Sequence, residues 1–272
     1  MFHLRALISG FVILAVAPAF AATTIVTQSI NSPHQSGPTT LSVITPDGLD
    51  RTTTYRVLYI LPVEPGTEYR YGSGLDEAAK GDIANTYQVI CVAPTFTALP
   101  WFGNHPTDAT LQHERHFIET VLPWVEEHYP VDESPAGRLL LGFSKSGNGA
   151  LSLLLRHPEL FGKAVAWDAP LDKVHPDQFG MIDIFGTDEN FQDYALPKLL
   201  RNHASPFMGK APRVILLSMG PKGHKMETVH QQLVGAAFPH IYEETAVLQH
   251  HWNSGWFPRA AALVLANTTD AR

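Results

Sequence analysis

The stretch from Arg138 to Ala150, RLLLGFSKSGNGA, joins an apolar run to a glycine-rich segment. Its first residues are typical of a fully buried strand, and its last residues begin a helical pattern. Between them, Gly142 and Ser144 have the G-x-S spacing of a sharp strand-to-helix turn that presents a nucleophilic serine. Such a turn needs small residues because neighbouring backbone comes close. The stretch therefore predicts an α/β fold with Ser144 in that turn.

The turn departs from the usual pattern in one place. Ser146 stands where a second glycine is usual, and Gly147 follows it. If Ser146 were the nucleophile, Ser144 and Asn148 would take the flanking positions, which is a worse fit. A strand-to-helix connection without chemistry remains the alternative, whereas the glycine spacings of phosphate-binding and dinucleotide-binding loops are absent.

Two backbone amides are candidates for stabilising an oxyanion. The amide of Lys145 lies at the start of the predicted helix, where negative charge is favoured. A second amide is expected from the loop after Leu61, and Val63 is the better candidate there because Pro62 has no N–H.

Short apolar runs alternate with helical patterns along the rest of the chain, which predicts a mostly parallel sheet flanked by helices. The predicted helices are Gln112 to His128 and Asn148 to His157. The predicted strands are Leu41 to Ile44, Arg56 to Leu61, Gln88 to Ala93, Arg138 to Leu141, Lys163 to Trp167, Arg213 to Ser218 and Thr245 to Gln249.

The chain shows no repeat or linker that would divide it, so we expect a lead-in with perhaps one edge strand at residues 23–53 and one catalytic domain at 54–272. The long stretch from Pro170 to Pro212 fits either a partial lid over one end of the sheet or an ordinary surface excursion with one helix around Leu196 to His203.

The first 22 residues predict a cleaved secretion signal. Arg5 precedes an apolar run from Ala6 to Val16, which is short for a membrane anchor, and a small-residue pattern ends at Ala21. We therefore expect a secreted or periplasmic protein without a stable membrane anchor. Removing Arg5 leaves 18 basic and 26 acidic residues, a net charge of −8, which argues against nucleic-acid binding. The single cysteine, Cys91, is expected to be buried and inert.

A serine nucleophile needs a histidine to accept its proton. His250 and His251 follow the last predicted strand, near the C-terminus, where this base is expected. The orienting acid is harder to assign. Asp168 directly follows the strand ending at Trp167, while Glu227 lies in the loop after the next strand; a dyad without an acid is the third possibility.

The chain resembles the esterase D-like branch of the α/β hydrolases, which includes feruloyl and acetylxylan esterases and mycolyltransferase-like proteins. The resemblance runs from about Thr54 to the C-terminus, and its markers are the strand Val57 to Leu61, the run Phe117 to Tyr129 and the turn at Ser144. The turn GFSKSG, with WDAP and HHWNSGW downstream, looks like that of uncharacterised secreted bacterial esterase-like proteins.

The resemblance implies a single-domain α/β-hydrolase fold and favours His250, since the catalytic histidine in this family stands two residues before a tryptophan. It implies hydrolysis of a small-molecule or carbohydrate-linked carboxylic ester through Ser144 and His250. For the acid we favour Asp168, because the end of a strand positions a side chain more rigidly than the start of a helix. Acyl transfer and a non-catalytic binding role are the alternatives. We expect no cofactor and no metal site. Trp101, in a loop at the ligand-binding end of the sheet, is a candidate wall for the substrate.

Overall fold

The structure, a computed structural model, describes residues 24–220, 223–224 and 226–266. Its centre is one eight-stranded sheet in the order β1-β2-β4-β3-β5-β6-β7-β8. The strands are β1 Val26–Ile30, β2 Thr39–Ile44, β3 Arg56–Ile60, β4 Val89–Pro94, β5 Arg138–Phe143, β6 Lys163–Trp167, β7 Val214–Ser218 and β8 His240–Glu244. The six strands from β4 to β8 in that order are parallel, while β1 and β2 are antiparallel to their neighbours.

Helices cover both faces of the sheet, so the predicted fold class is confirmed. The α-helices are α1 Gly74–Lys80, α2 Ile83–Tyr87, α3 His113–His116, α4 Leu122–His128, α5 Lys145–Arg156, α6 Met181–Phe185, α7 Asp188–Phe191, α8 Leu196–Asn202, α9 Met226–Gly235 and α10 Phe257–Leu265. A π-helical turn, Phe117–Val121, joins α3 to α4. The helix predicted from Gln112 to His128 is thus a composite of three segments.

The core has one layer on each face of the sheet because successive strand residues point to opposite sides. In β3, Val57 and Tyr59 pack into the layer that contains α5, while Leu58 and Ile60 pack into the layer that contains α10. Both sets are buried. Burial on both faces explains why these strands are continuous apolar runs rather than alternating ones.

The prediction of a last strand from Thr245 to Gln249 is wrong. Residues 245–249 form a loop, in which Val247 is 59% exposed, and β8 lies just before it at His240–Glu244. As an edge strand, β8 is only half buried, so its sequence carries little apolar signal. The other predicted strands match those of the structure to within two residues, and the lead-in contributes the edge strand β1.

The predicted leader at residues 1–22 lies outside the described residues. Within the part of the chain that the structure describes, no helix has the length and apolar character needed to cross a membrane. Cys91 is fully buried in β4, and burial raises its pKa to about 12, so its thiol is unreactive.

Two buried histidines predict acid sensitivity. Burial lowers the pKa of His113 to about 3 and that of His116 to about 4. The unfolded chain therefore takes up these protons first as the pH falls below about 6.5, and stability is lost between there and the folded pKa values. At pH 5 the loss is expected to be about 2 kcal/mol for each histidine, relative to pH 7.5.

Urea unfolding of the wild type and of His116→Phe at pH 7.5 and pH 5 checks this expectation. Phenylalanine does not titrate and keeps a ring against Phe96, which now meets His116 at 5.2 Å between centroids. The variant should lose less stability on acidification than the wild type. An equal loss in both proteins would show that His116 is not one of the groups responsible.

Candidate active site

Ser144 lies in a tight turn between β5 and α5. Its backbone has φ 53° and ψ −128°, a conformation that costs energy for a residue with a side chain. The Ser144 amide donates to the carbonyl of Trp167 at 3.0 Å, which ties the turn to β6. A Cβ atom at Gly142 would lie 2.1 Å from the carbonyl oxygen of Ser146, so glycine is required there. The turn thus has the geometry of a nucleophile elbow.

Ser146, the departure from the usual pattern, is accommodated by hydrogen bonds within the turn. Its buried hydroxyl donates to the carbonyl of Phe143 at 2.9 Å and accepts from the amide of the same residue at 3.0 Å. Serine at this position therefore closes the elbow with its side chain.

Asp168 and His250 meet at the same end of the sheet. Asp168 directly follows β6 and is 2% exposed, and its Oδ2 lies 2.6 Å from Nδ1 of His250. His250 comes from the loop after β8, and its ring packs 4.5 Å from that of Phe143, the residue before Ser144. Because Nδ1 of His250 contacts Asp168, Nε2 is the ring nitrogen that remains free of Asp168.

The surroundings of Asp168 favour its ionised form. Burial alone would raise the pKa of this carboxyl, but the hydrogen bonds from His250 and from the backbone amide of His224 outweigh burial and lower it. The His224 amide lies 2.6 Å from Oδ1. Asp168 therefore holds a negative charge beside His250, and it also accepts a hydrogen bond from the backbone amide of His224.

The two rival residues lie elsewhere. His251 begins a short 3₁₀ turn, Trp252–Ser254, where its Nδ1 accepts from the amide of Asn253 at 3.3 Å. Its ring packs against Gly72 rather than Asp168. Glu227 is exposed in the first turn of α9. Of the residues considered from sequence, the structure brings Asp168 and His250 into contact and leaves His251 and Glu227 out of this contact.

A cavity of about 230 Å³ brings the other candidates together. Its walls are Tyr71, Trp101, Ser144, Lys145, Pro170, Phe179, His224 and His250. Trp101 is held in place because its Nε1 donates to the carbonyl of Phe179 at 3.0 Å. The stretch from Pro170 to Pro212 therefore covers this end of the sheet through Pro170 and Phe179, and it also contains the predicted helix, α8.

Sequence reasoning did not identify Tyr71, Phe179 and His224 as residues of the site. His224 lies in the loop after β7, where the family pattern places the orienting acid, and its ring centroid lies 5.5 Å from that of His250. The position of this loop, directly after β7, is the sequence signal that could have identified His224 as a residue of the site. Tyr71 and Phe179 lie in irregular segments with no motif, so no sequence signal marks them.

Val63 does not line the cavity of Ser144. It lines a neighbouring cavity of about 290 Å³, next to the loop after β3. Lys145 connects the two, since its Nζ donates to the carbonyl of Val63 at 2.7 Å and lies 3.9 Å from a carboxylate oxygen of Glu64. Burial lowers the pKa of Lys145, while the charge of Glu64 acts in the opposite direction.

Asp168, His224 and His250 also form the one group of three potential metal ligands found within the described ranges. Ligand atoms around one zinc ion lie about 3 Å or more apart, given metal–ligand bonds of about 2 Å. The 2.6 Å between Asp168 and His250 is therefore a hydrogen-bond distance, which suits proton transfer better than metal binding.

Comparisons with known proteins bear on the family and the fold. The family model named Esterase, described as "Putative esterase", matches residues 32–210. A comparison with curated proteins gave no match. An S-formylglutathione hydrolase from Agrobacterium tumefaciens has a similar structure, with a TM-score of 0.71 and 16% identity over 93% of this chain and 99% of that chain.

Two further structures are similar at comparable levels. One is described as a ferulic acid esterase, with a TM-score of 0.69 and 17% identity over 89% of this chain and 96% of its own. The other is an S-formylglutathione hydrolase from Staphylococcus aureus, with a TM-score of 0.69 and 15% identity over 90% of this chain and 100% of its own. At such low identity, these likenesses establish the fold.

Proposed function

The chain belongs to this esterase family and has an α/β-hydrolase fold, and from that premise we propose that it hydrolyses a carboxylic ester through an acyl-enzyme on Ser144. The observation that carries the proposal is the contact of 2.6 Å between Asp168 and His250, because His250 lines the same cavity as Ser144. The three residue types and this order along the chain are those of a Ser-Asp-His triad.

The proposed reaction begins when Oγ of Ser144 attacks the ester carbonyl and Nε2 of His250 accepts the hydroxyl proton. Asp168 holds the imidazole in the required tautomer and stabilises its positive charge. The C–O bond to the alcohol then breaks, and His250 returns the proton to the departing oxygen. Water, deprotonated by His250, attacks the acyl-enzyme and releases the acid, and Ser144 regains its proton.

The backbone amide of Lys145 is the first proposed oxyanion donor because it lies at the start of α5. The amide of Val63 is the second proposed donor. Val63 lines the neighbouring cavity rather than that of Ser144, but Lys145 bonds to its carbonyl, and its amide has no protein acceptor among the described residues. We infer that the side chain of Lys145 acts as a positioning group. By holding the Val63 carbonyl, it fixes the peptides on either side of that residue.

Removing the ammonium of Lys145 tests this role. Lys145→Met keeps the backbone amide but loses the bond to Val63, so kcat is expected to fall about 10- to 100-fold with little change in KM. Steady-state kinetics on a p-nitrophenyl ester measure both constants. Lys80→Met is the control, because Lys80 is an exposed cation paired with Glu77. A Lys145→Met enzyme as active as the control would contradict the role.

Hydrolysis is preferred to acyl transfer because the His250 side chain is 33% exposed, so water can reach the acyl-enzyme. The aromatic rings of Tyr71, Trp101 and Phe179 favour an aryl or short acyl group in the substrate.

Product analysis with methyl ferulate and p-nitrophenyl acetate, with and without an added alcohol, tests both the hydrolysis and the substrate preference. Release of the free acid supports hydrolysis; a new ester would indicate transfer, and no turnover of any ester would favour a non-catalytic binding role.

The leader and domain boundaries belong to the same proposal. Residues 1–22 are proposed to be removed on export to the periplasm or the medium, residues 23–53 to form the lead-in, and residues 54–272 to form the catalytic domain. Support comes from the short apolar run that ends before Pro18 and from the small-residue pattern that ends at Ala21.

A further inference from the structure

A third cavity, of about 420 Å³, lies at the end of the sheet opposite Ser144. It is lined by the cationic residues Arg56, Lys163, Lys210 and Arg213, together with apolar side chains such as Leu139 and Val264. Arg56 and Lys163 begin β3 and β6, and Arg213 directly precedes β7. Because these strands are parallel, they all start at the same end of the sheet, about 17–20 Å from their carboxyl ends. We call this feature the basic cavity.

The four cations of the basic cavity have no carboxylate within 4.0 Å in the part of the chain that the structure describes. Other arginines do have such partners: Arg138 pairs with Glu126 at 2.5 Å, and Arg156 pairs with Glu114 at 2.9 Å. This contrast is notable in a chain whose net charge is −7. The basic cavity is a local positive region on an acidic protein.

Two acidic residues act on the basic cavity from farther away. Asp132 raises the pKa of Arg56 and Glu159 raises that of Arg213, but burial outweighs both and lowers each pKa. Burial and the charge of Arg56 also lower the pKa of Lys163. Cations that burial and like charge disfavour gain the most from a bound anion.

Backbone carbonyls accept hydrogen bonds from only some of the N–H groups of Arg56, Lys163 and Arg213. Nη1 of Arg56 donates to Leu265 at 3.0 Å, and Nζ of Lys163 donates to Ala266 at 2.7 Å, so both satisfy the end of α10. Arg213 donates to the carbonyls of residues 158, 161 and 162. A guanidinium has five N–H donors and an ammonium has three, so donors remain for a ligand.

We propose that the basic cavity binds a phosphate or diphosphate group. Several fixed cations suit a multivalent oxyanion, and arginine forks match phosphate geometry. The apolar walls can pack against the organic part of a phosphate ester. The group can come from a free phosphate compound or from the headgroup of an anionic lipid. The site is independent of the proposed ester hydrolysis, since it lies at the other end of the sheet.

Calorimetric titration of the full chain with sodium pyrophosphate tests the proposal. Lys210→Ala and Arg213→Met are each expected to weaken binding about 10-fold or more, as for the loss of one charge-assisted hydrogen bond. Lys198→Ala is the matched control, because Lys198 is a cation paired with Asp193 outside the basic cavity. No binding by the wild type, or equal affinity in the wild type and both cavity variants, would overturn the proposal.

Two further arms complete the experiment. Cosedimentation with phosphatidylglycerol vesicles, set against phosphatidylcholine vesicles, distinguishes the two sources: binding lost in Lys210→Ala indicates a headgroup, whereas pyrophosphate binding alone indicates a free phosphate compound. A variant with glycines and serines in place of residues 267–272 tests whether the chain's own last residues fill the basic cavity, which Ala266 lines. The length of the chain is kept because an end at Ala266 would place a carboxylate beside Lys163. Pyrophosphate binding that appears only in this variant would also overturn the proposal.

Discussion

Replacing Ser144 with alanine is expected to lower kcat for ester hydrolysis on the order of 10⁵-fold. The hydroxyl oxygen is the atom that forms the acyl-enzyme in the proposed reaction, and no other described hydroxyl on the cavity wall except that of Tyr71 is available to replace it. The change removes one oxygen and leaves the elbow, the Asp168–His250 pair and the cavity in place. Initial rates on p-nitrophenyl acetate, read above the uncatalysed background, measure the loss.

Ser152→Ala is the matched control for this variant. Ser152 lies in α5, two turns beyond the elbow, and its buried hydroxyl has no hydrogen-bond partner among the described residues. Its loss should leave kcat within a factor of about three, because no proposed step uses it. If Ser144→Ala and Ser152→Ala were equally active, the nucleophile would have to be another residue.

Asp168→Asn is expected to lower kcat on the order of 10⁴-fold, because an amide cannot hold the imidazole of His250 in the productive tautomer or stabilise its charged form. The variant keeps the shape of the side chain and an acceptor for the His224 amide. Kinetics combined with a thermal unfolding curve separate lost catalysis from lost folding.

Glu227→Gln is the companion variant, since Glu227 was the rival acid in the sequence. Its carboxylate is exposed on α9, so we expect wild-type kcat. A large loss in Glu227→Gln with a small one in Asp168→Asn would reassign the acid. Small losses in both variants would instead favour a Ser-His dyad.

Residues buried on both faces of the sheet were the easiest to predict from sequence. The apolar runs of β3 to β7 mark fully buried strands, and Gly142 marks the elbow because a Cβ atom there would clash with the backbone of Ser146. The elbow is a local structure, so the residues that it requires lie close together in the sequence. For the same reason, the sequence alone is enough to single out Ser144 as the candidate nucleophile.

The features that failed to show in the sequence depend on distant contacts. β8 is a half-buried edge strand, so the sequence favours the more apolar segment that follows it. That segment is the loop that carries His250 to Asp168, 82 residues away along the chain. Position in the chain left the choice between Asp168 and Glu227 open, and only their burial and contacts separate them.

The most direct test of the account is the rate at which a fluorophosphonate labels the protein, with the modified residue located by peptide mass spectrometry. The account predicts one adduct, on Ser144, that forms at least about 10²-fold more slowly in His250→Ala and at nearly the wild-type rate in His251→Ala. An adduct on another residue, or labelling of Ser144 that is unaffected by His250→Ala, would contradict it.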